Sequence, residues 1–449
     1  MKTKTCGVSG KQFTITDEDI AFYEKMGVPE PMLCPEERRR RRESWRTQST
    51  LYHRKCDYSE KKIISMYHRE APFPVYHVKD WRDDEKFDPL EFGREFDFSR
   101  PFFDQYKELL DETPHPHAIF QYPIENSEYC NRASSLKNCY LCFGINEGRD
   151  CLYLETAFYV TDCVSSYMIT NCELCYECIN CTNCYESRYC QQCKNCSDSW
   201  FLWDCVGCKN CFGCTGLRNK QYCFANQQLT KEAYEEKVQD LELDTWSQLD
   251  LMEQRFREFK GNQPHKNLNI INCENCTGDN MLNSKNCSDS FDVEDAEDCH
   301  HCFFIKKGAK DCMDSTYWGN NLEHVYQTVN CGNDSQNLRF CSETWSSTNM
   351  TYCVNCQFSK DSFGCYGLKN HKQYCILNKE YSKEDYCELK EKIIAHMKKT
   401  GEWGEFFPSS MSPFGYNETV AHEYSPLEKE KALEMGFSWR EQEIHAKYD

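Results

Sequence analysis

Cysteines recur in this chain at a fixed interval. Cys130, Cys151, Cys172, Cys193 and Cys214 are each 21 residues apart, and Cys142, Cys163, Cys184 and Cys205 form a second set with the same step. The two sets interleave at alternating steps of 12 and 9, and the register breaks where Cys223 follows Cys214 by 9. A constant period near 20 marks a solenoid, in which each repeat is one coil stacked on the last. The spacing predicts a β-solenoid of about 21-residue coils with two internal cysteine ladders. Asn or Asp precedes Cys139, Cys151, Cys163, Cys172, Cys181, Cys184, Cys196, Cys205 and Cys211. These residues tolerate left-handed backbone and suit corners. A corner followed by an inward cysteine, which packs as a small hydrophobe, is a coherent coil pattern.

The core must rest on unusual residues. There are 34 cysteines in 449 residues, with 27 Tyr and 27 Phe, whereas Leu, Ile and Val are sparse. The net charge of −19 argues against general affinity for nucleic acid. No apolar run is long enough for a membrane helix, and no apolar signal core follows Met1-Lys2-Thr3-Lys4-Thr5-Cys6. The expected compartment is the cytoplasm, where thiols stay reduced and disulfides are disfavoured.

The chain divides as follows. Residues 1–70 read as a degenerate zinc-ribbon-like head with an Arg-rich helix. Residues 71–117 form an aromatic linker that caps one solenoid end. Residues 118–228 are the first β-solenoid, 229–264 a helical connector, and 265–380 the second β-solenoid. A helix over 381–400 and an aromatic tail over 401–449 complete the chain. The fold class is mainly β: a duplicated solenoid with small helical and irregular caps. The duplication rests on Phe212-Gly213-Cys214 through Tyr222-Cys223, repeated with one insertion at Phe363-Gly364-Cys365 through Tyr374-Cys375. Adding 148 also carries Cys139, Cys151, Cys193 and Cys205 onto Cys287, Cys299, Cys341 and Cys353.

In the head, Cys6 and Cys34 occupy places where a zinc knuckle would have C-x2-C, but Ser9 and Glu37 stand at the partner positions. Cys6, Cys34, Glu37 and Cys56, with His53, are the candidate zinc ligands there. Cys299-His300-His301-Cys302 is the candidate in the second solenoid. The run Arg38-Arg39-Arg40-Arg41-Arg42, followed by Arg46, has two readings: a grip on a phosphate backbone, or a helix face that neutralises the acidic remainder of the chain.

The chain resembles a family of uncharacterised cysteine-rich repeat proteins of candidate-phyla bacteria. The resemblance rests on Cys34-Pro35, Arg54-Lys55-Cys56-Asp57, Ile63-Ile64-Ser65-Met66-Tyr67, Lys137-Asn138-Cys139-Tyr140, the two Gly-Leu-x-Asn…Tyr-Cys closings and Pro413-Phe414-Gly415-Tyr416-Asn417. It implies an N-terminal zinc-ribbon-like element with C-x2-C at both positions, from which this sequence departs at Ser9 and Glu37.

Cys172 through Cys184 and Cys205 through Cys214 advance in steps of three, the C-x2-C spacing of iron–sulfur proteins. The ferredoxin C-x3-C-Pro ending is absent, so packed thiols are favoured over zinc, and zinc over iron–sulfur. Asp289, Asp295 and Asp314 are the carboxylates a β-helix enzyme would use, yet nothing singles them out. The expectation is a non-catalytic binding scaffold for a protein partner, with a metal-binding redox or storage protein as the alternative. Nucleic-acid binding through residues 38–46 is the second alternative.

Overall fold

In the computed structural model, which describes residues 1–441, backbone hydrogen bonds set the coil length. Phe143 pairs with Glu155, Tyr185 with Ser197, and Ser197 with Lys209, all in parallel. The coils of the first solenoid are therefore 12 residues long, not 21, with one extra residue at the start, where Phe120 pairs with Ala133 before a bulge. Within a coil the backbone turns left-handed at every third residue, as at Asn138, Leu141, Glu147, Asp150 and Tyr153. A coil is a square with four three-residue sides: one residue turns the corner, the next points inward, and the third pairs with the coils above and below. Most L-residues resist positive φ, which explains the Asn and Asp at these corners. All nine such residues named above adopt it, from Asn138 to Asn210. Their side chains also stack: Asn126 donates to Asn138 (3.1 Å), and Asn138 to Asp150 (2.8 Å).

The 21-residue recurrence is one coil plus three sides. All inward positions are separated by multiples of three, so the two predicted ladders are real interior residues assigned to the wrong columns. Cys130 lies beneath Cys142, and Cys139 beneath Cys151 and Cys163. Cys172, Cys184, Cys196 and Cys208 share a third column, and Cys181, Cys193 and Cys205 a fourth. The set from Cys130 to Cys214 instead spirals through all four columns.

The second solenoid repeats this plan with some coils of 13. Phe291 pairs with Phe303, twelve on, but Cys299 with Cys312 and Leu322 with Ser335, thirteen on. The columns Tyr140, Leu152, Val164, Tyr176, Arg188, Trp200, Phe212, Phe224 and Ser288, His300, Met313, Tyr326, Arg339, Thr351, Phe363, Ile376 correspond level by level. Both end in an antiparallel turn-back, Phe224 to Gln227 and Ile376 to Lys379. A capped helix follows each, with Thr230 and Ser382 as N-caps.

The head holds two hairpins, β1 (Lys2–Thr5) with β2 (Gln12–Ile15) and β3 (Tyr52–Lys55) with β4 (Lys62–Ser65). The helices are α1 (Asp17–Met26), α2 (Pro35–Glu43), α3 (Val78–Arg82), α4 (Phe102–Glu112), α5 (Lys231–Gln239), α6 (Trp246–Gly261), α7 (Lys383–Thr400), α8 (Val420–Tyr424) and α9 (Lys429–Glu434). No helix among the described residues is long and apolar enough to cross a membrane.

Candidate docking face and cysteine core

The interior is a thiol lattice. Every cysteine is a free thiol, and all are buried except half-buried Cys273 and Cys276 and exposed Cys387. Cys172, Cys175, Cys178 and Cys181 fill all four sides of one coil. The thiols approach carbonyls at donor distances: Cys178 Sγ is 3.5 Å from the Tyr176 carbonyl and 3.4 Å from that of Ser187. Cys181 repeats this with Ile179 and Cys190 at 3.5 and 3.3 Å. S–H is a weak donor, and hydrogen bonds from neighbouring thiols lower Cys178 and raise Cys181 relative to an ordinary thiol. Burial pushes Cys190, Cys193 and Cys331 up from their ordinary pKa.

The head brings Cys6, Ser9 and Cys34 together but leaves Glu37 and Cys56 out of the group. Cys34 caps α2, and its sulfur lies 3.7 Å from Ser9 Oγ. Burial raises the Cys34 thiol to about 11; burial also opposes ionisation of Cys6, but hydrogen bonds from Ser9 and the backbone outweigh it and bring Cys6 to about 7. Glu37 turns to Arg40. Cys56 belongs to the other hairpin, where its sulfur accepts from the Ser59 (3.4 Å) and His77 (3.2 Å) amides. His53 sits in β3 against Tyr129. Two thiols and a hydroxyl do not make the four N/S ligands zinc prefers. Among the described residues, no group of three or more His, Cys, Asp or Glu side chains converges in a metal-holding geometry.

The two hairpins are copies of each other, a relation the sequence reading missed. Cys6 N bonds Lys11 O and Gly10 N bonds Cys6 O, just as Cys56 N bonds Lys61 O and Glu60 N bonds Cys56 O. The signal was present as Cys6-x2-Ser9-x-Lys11 and Cys56-x2-Ser59-x-Lys61.

Cys299 and Cys302 point into the core, whereas His300 and His301 face outward onto a groove of about 1100 Å³ between α1, α2 and the early coils. The alternation that builds the coil thus keeps these thiols and imidazoles apart. Asp289 and Asp314 flank His301 in one corner column, and Asp289 lies 3.7 Å from its ring. Asp295 stands elsewhere, accepting from Asn283 at 3.0 Å. The three carboxylates do not meet.

The arginine run is used inside the protein. Arg38 Nε lies 2.7 Å from Asp314 Oδ2, and Arg42 Nη1 3.2 Å from Oδ1, with all three side chains buried. Arg39 pairs with Glu43 at 2.7 Å, Arg40 with Glu37, and Arg41 approaches Glu405 at 3.8 Å. Arg46 is buried between the solenoids, bonded to Gln48 and Asn330.

This helix is one of several seated on a single corner face of the second solenoid. From α1, Phe22 and Tyr23 pack on Tyr326 at 5.9 and 5.6 Å. From α4, Phe102 reaches Phe363 at 5.3 Å, while Trp403 and Phe407 lie on Phe340 and Tyr352 at 6.0 and 5.7 Å. Met313, Tyr326, Phe340, Tyr352, Phe363 and Ile376 are fully buried as a result. On the first solenoid the same face is covered only at its last levels, where Phe256 of α6 meets Phe201 (5.9 Å) and Tyr234 of α5 meets Tyr222 (5.9 Å). Below that cover, Tyr140 is 42%, Leu152 38% and Tyr153 52% exposed, with Val164 and Tyr176 half-buried. Exposed Asp150, Asp162 and Glu177 flank this stripe.

No family model and no curated protein matches the chain. Among solved structures, one described as "putative acetyltransferase from Desulfovibrio desulfuricans G20" aligns at 7% identity over 62% of this chain and 84% of that one, with a TM-score of 0.13. That similarity is too low to carry an argument.

Proposed function

We propose that the protein is a non-catalytic scaffold, working in a reducing compartment, that docks a basic amphipathic helix of a protein partner on the bare corner face of the first solenoid. The observation behind this reading is the inequality of the two copies. The equivalent face of the second solenoid receives α1, α2, α4 and the 403–407 segment from the chain itself, and the bare stripe continues directly into the part covered by α6. Four levels from Tyr140 to Tyr176 span about 14 Å, close to the ~15 Å length of a ten-residue helix. The acidic flanks match a basic partner, as Asp314 matches Arg38 and Arg42.

The test is a fluorescence titration of the full-length protein with helical peptides of one length: basic amphipathic, acidic amphipathic and uniformly polar. The basic peptide should bind best, and Leu152→Asp with Tyr153→Asp should weaken it at least tenfold without lowering the melting temperature, because both side chains are exposed. Equal binding of all three peptides, or no effect of the double variant, would refute the reading. Self-association that the double variant abolishes would assign the face to a second copy instead.

A metal-binding role is the second reading, and it would require the four thiols of Cys172, Cys175, Cys178 and Cys181 in one coil to draw closer than they lie here. Elemental analysis with absorption spectra of anaerobically purified protein decides it: stoichiometric zinc or iron would support it, and its absence would leave the thiols as packing.

A further inference from the structure

Arg46 is the member of the arginine-rich segment that has no carboxylate in contact; its guanidinium lies over the Tyr317 ring at 4.2 Å. It is 7% exposed, and its hydrogen bonds go to neutral amide oxygens, with 3.0 and 2.7 Å contacts to Gln48 Oε1 and a bond to Asn330 Oδ1. No carboxylate of the described residues lies in salt-bridge contact with it. Burial, reinforced by the neighbouring Arg132 charge, lowers its pKa to about 10, against the weaker opposing pull of Tyr317, Glu343 and Glu155. Arg132, in contrast, is paired with Glu343. A buried charge with no carboxylate in contact is costly, and here it faces a cavity of about 280 Å³ between the two solenoids. That cavity is lined by Arg46, Arg132, Asn146, Asn330, Trp318 and Trp345 among others, and by no Asp or Glu. In a chain of net charge −19, a wall with two arginines and no carboxylate stands out chemically.

We propose that this cavity binds an anionic monosaccharide. Its carboxylate or phosphate would lie on Arg46 and supply a counter-charge in direct contact. Its hydroxyls would meet the side-chain amides, and its ring the indoles of Trp318 and Trp345. Pockets for small molecules are mostly apolar walls with a few convergent polar groups, roughly 300–1,000 Å³ in size. This cavity falls at the small end, which suits one sugar ring. The site is independent of the helix-docking face, since Arg46 and Tyr153 do not share it.

The experiment is calorimetric titration of the full-length protein with glucuronate, glucose 6-phosphate, glucose and inorganic phosphate. At least one anionic sugar should bind about tenfold or more tighter than glucose, as a charge-assisted hydrogen bond is worth about 1.5–3 kcal/mol and each ~1.4 kcal/mol is tenfold. Arg46→Gln should remove that preference while leaving the unliganded protein folded, because the charge it deletes has no carboxylate in contact. Asn146→Asp, which puts a carboxylate into the cavity wall, should also weaken the anionic sugar by tenfold or more and serves if Arg46→Gln fails to fold. Glucose binding as tightly as both acids, no binding of either acid at millimolar concentration, or, where glucose 6-phosphate is the only acid that binds, inorganic phosphate binding as tightly would each overturn the assignment.

Discussion

Asp314 is where the head is fastened to the second solenoid, and Asp314→Asn measures that fastening. The carboxylate lies 2.7 Å from Arg38 and 3.2 Å from Arg42, and none of the three side chains reaches solvent. Despite complete burial, the two guanidiniums hold Asp314 below the usual carboxylate range. An amide in its place leaves two buried arginines with no counter-charge. Breaking a buried ion pair by removing one partner costs about 3–5 kcal/mol. The exposed pair Arg257–Glu253, at 2.5 Å on α6, has similar contact geometry, but solvent limits it to about 0.3–0.5 kcal/mol. Equilibrium urea unfolding followed by tryptophan fluorescence should therefore show a loss several-fold larger for Asp314→Asn than for Glu253→Gln. The apolar triple Arg38→Met, Arg42→Met, Asp314→Leu should recover most of that loss, since a buried triad replaced by packed hydrophobes is often neutral or better. Arg39→Ala, Arg40→Ala and Arg41→Ala together should cost more than Glu253→Gln, because buried Glu43 and Glu37 would lose their partners. A loss under about 1 kcal/mol for Asp314→Asn would refute the reasoning. So would nucleic-acid binding that falls steeply with salt and vanishes in the Arg39–Arg41 variant, which would restore the phosphate-backbone reading of the run.

Two further outcomes follow from the core. Burial depresses His115 and His117 to about 3, so between about 6.5 and 3 the unfolded chain binds more protons than the folded one. Their contribution is fully present above pH ~6.5 and is lost on acidification, approaching ~1.4 kcal/mol per pH unit for each histidine; urea midpoints measured down the pH scale should fall accordingly, and a flat profile would contradict the assigned burial. The three-residue side predicts that adjacent positions differ sharply: Leu154→Ala, at a fully buried inward site, should cost about 2–5 kcal/mol, whereas Tyr153→Ala, half in solvent, should change thermal stability little.

Much of the fold was legible because the coil chemistry is local. Asn or Asp before Cys identified corners correctly, since a left-handed corner and an inward small residue are properties of neighbouring positions. The coil length was not local. Every inward residue sits at a multiple of three, so steps of 3, 9, 12 and 21 all join interior residues. Only the hydrogen-bond register, such as Tyr140 above Leu152, selects twelve. The exposed apolar column was hidden by the same error. Read every twelfth residue, Tyr140, Leu152, Val164, Tyr176, Arg188, Trp200, Phe212 and Phe224 form a mostly apolar outward column. Read at 21, those residues scatter over all faces. The ion pairs on Asp314 lay beyond sequence reasoning for another reason: Arg38 and Asp314 are 276 residues apart, and no local pattern relates them.

The duplication also raises a question of register that one residue answers. Two solenoids with matching corner faces offer the arginine helix two places to dock. Level by level, Val164 and Ser165 of the first copy stand where Met313 and Asp314 stand in the second. A helix carrying Arg38 and Arg42 placed over Ser165 would bury two guanidiniums against a hydroxyl that cannot neutralise them. Placed over Asp314, both find a carboxylate. The ~3–5 kcal/mol cost of an uncompensated buried charge corresponds to more than a hundredfold preference for the second copy. That preference leaves the first copy's face free below α6, and any partner that settles there must bring its own solution to a corner lacking Asp314, with the charges of Asp150, Asp162 and Glu177 at the rim instead of buried at the centre.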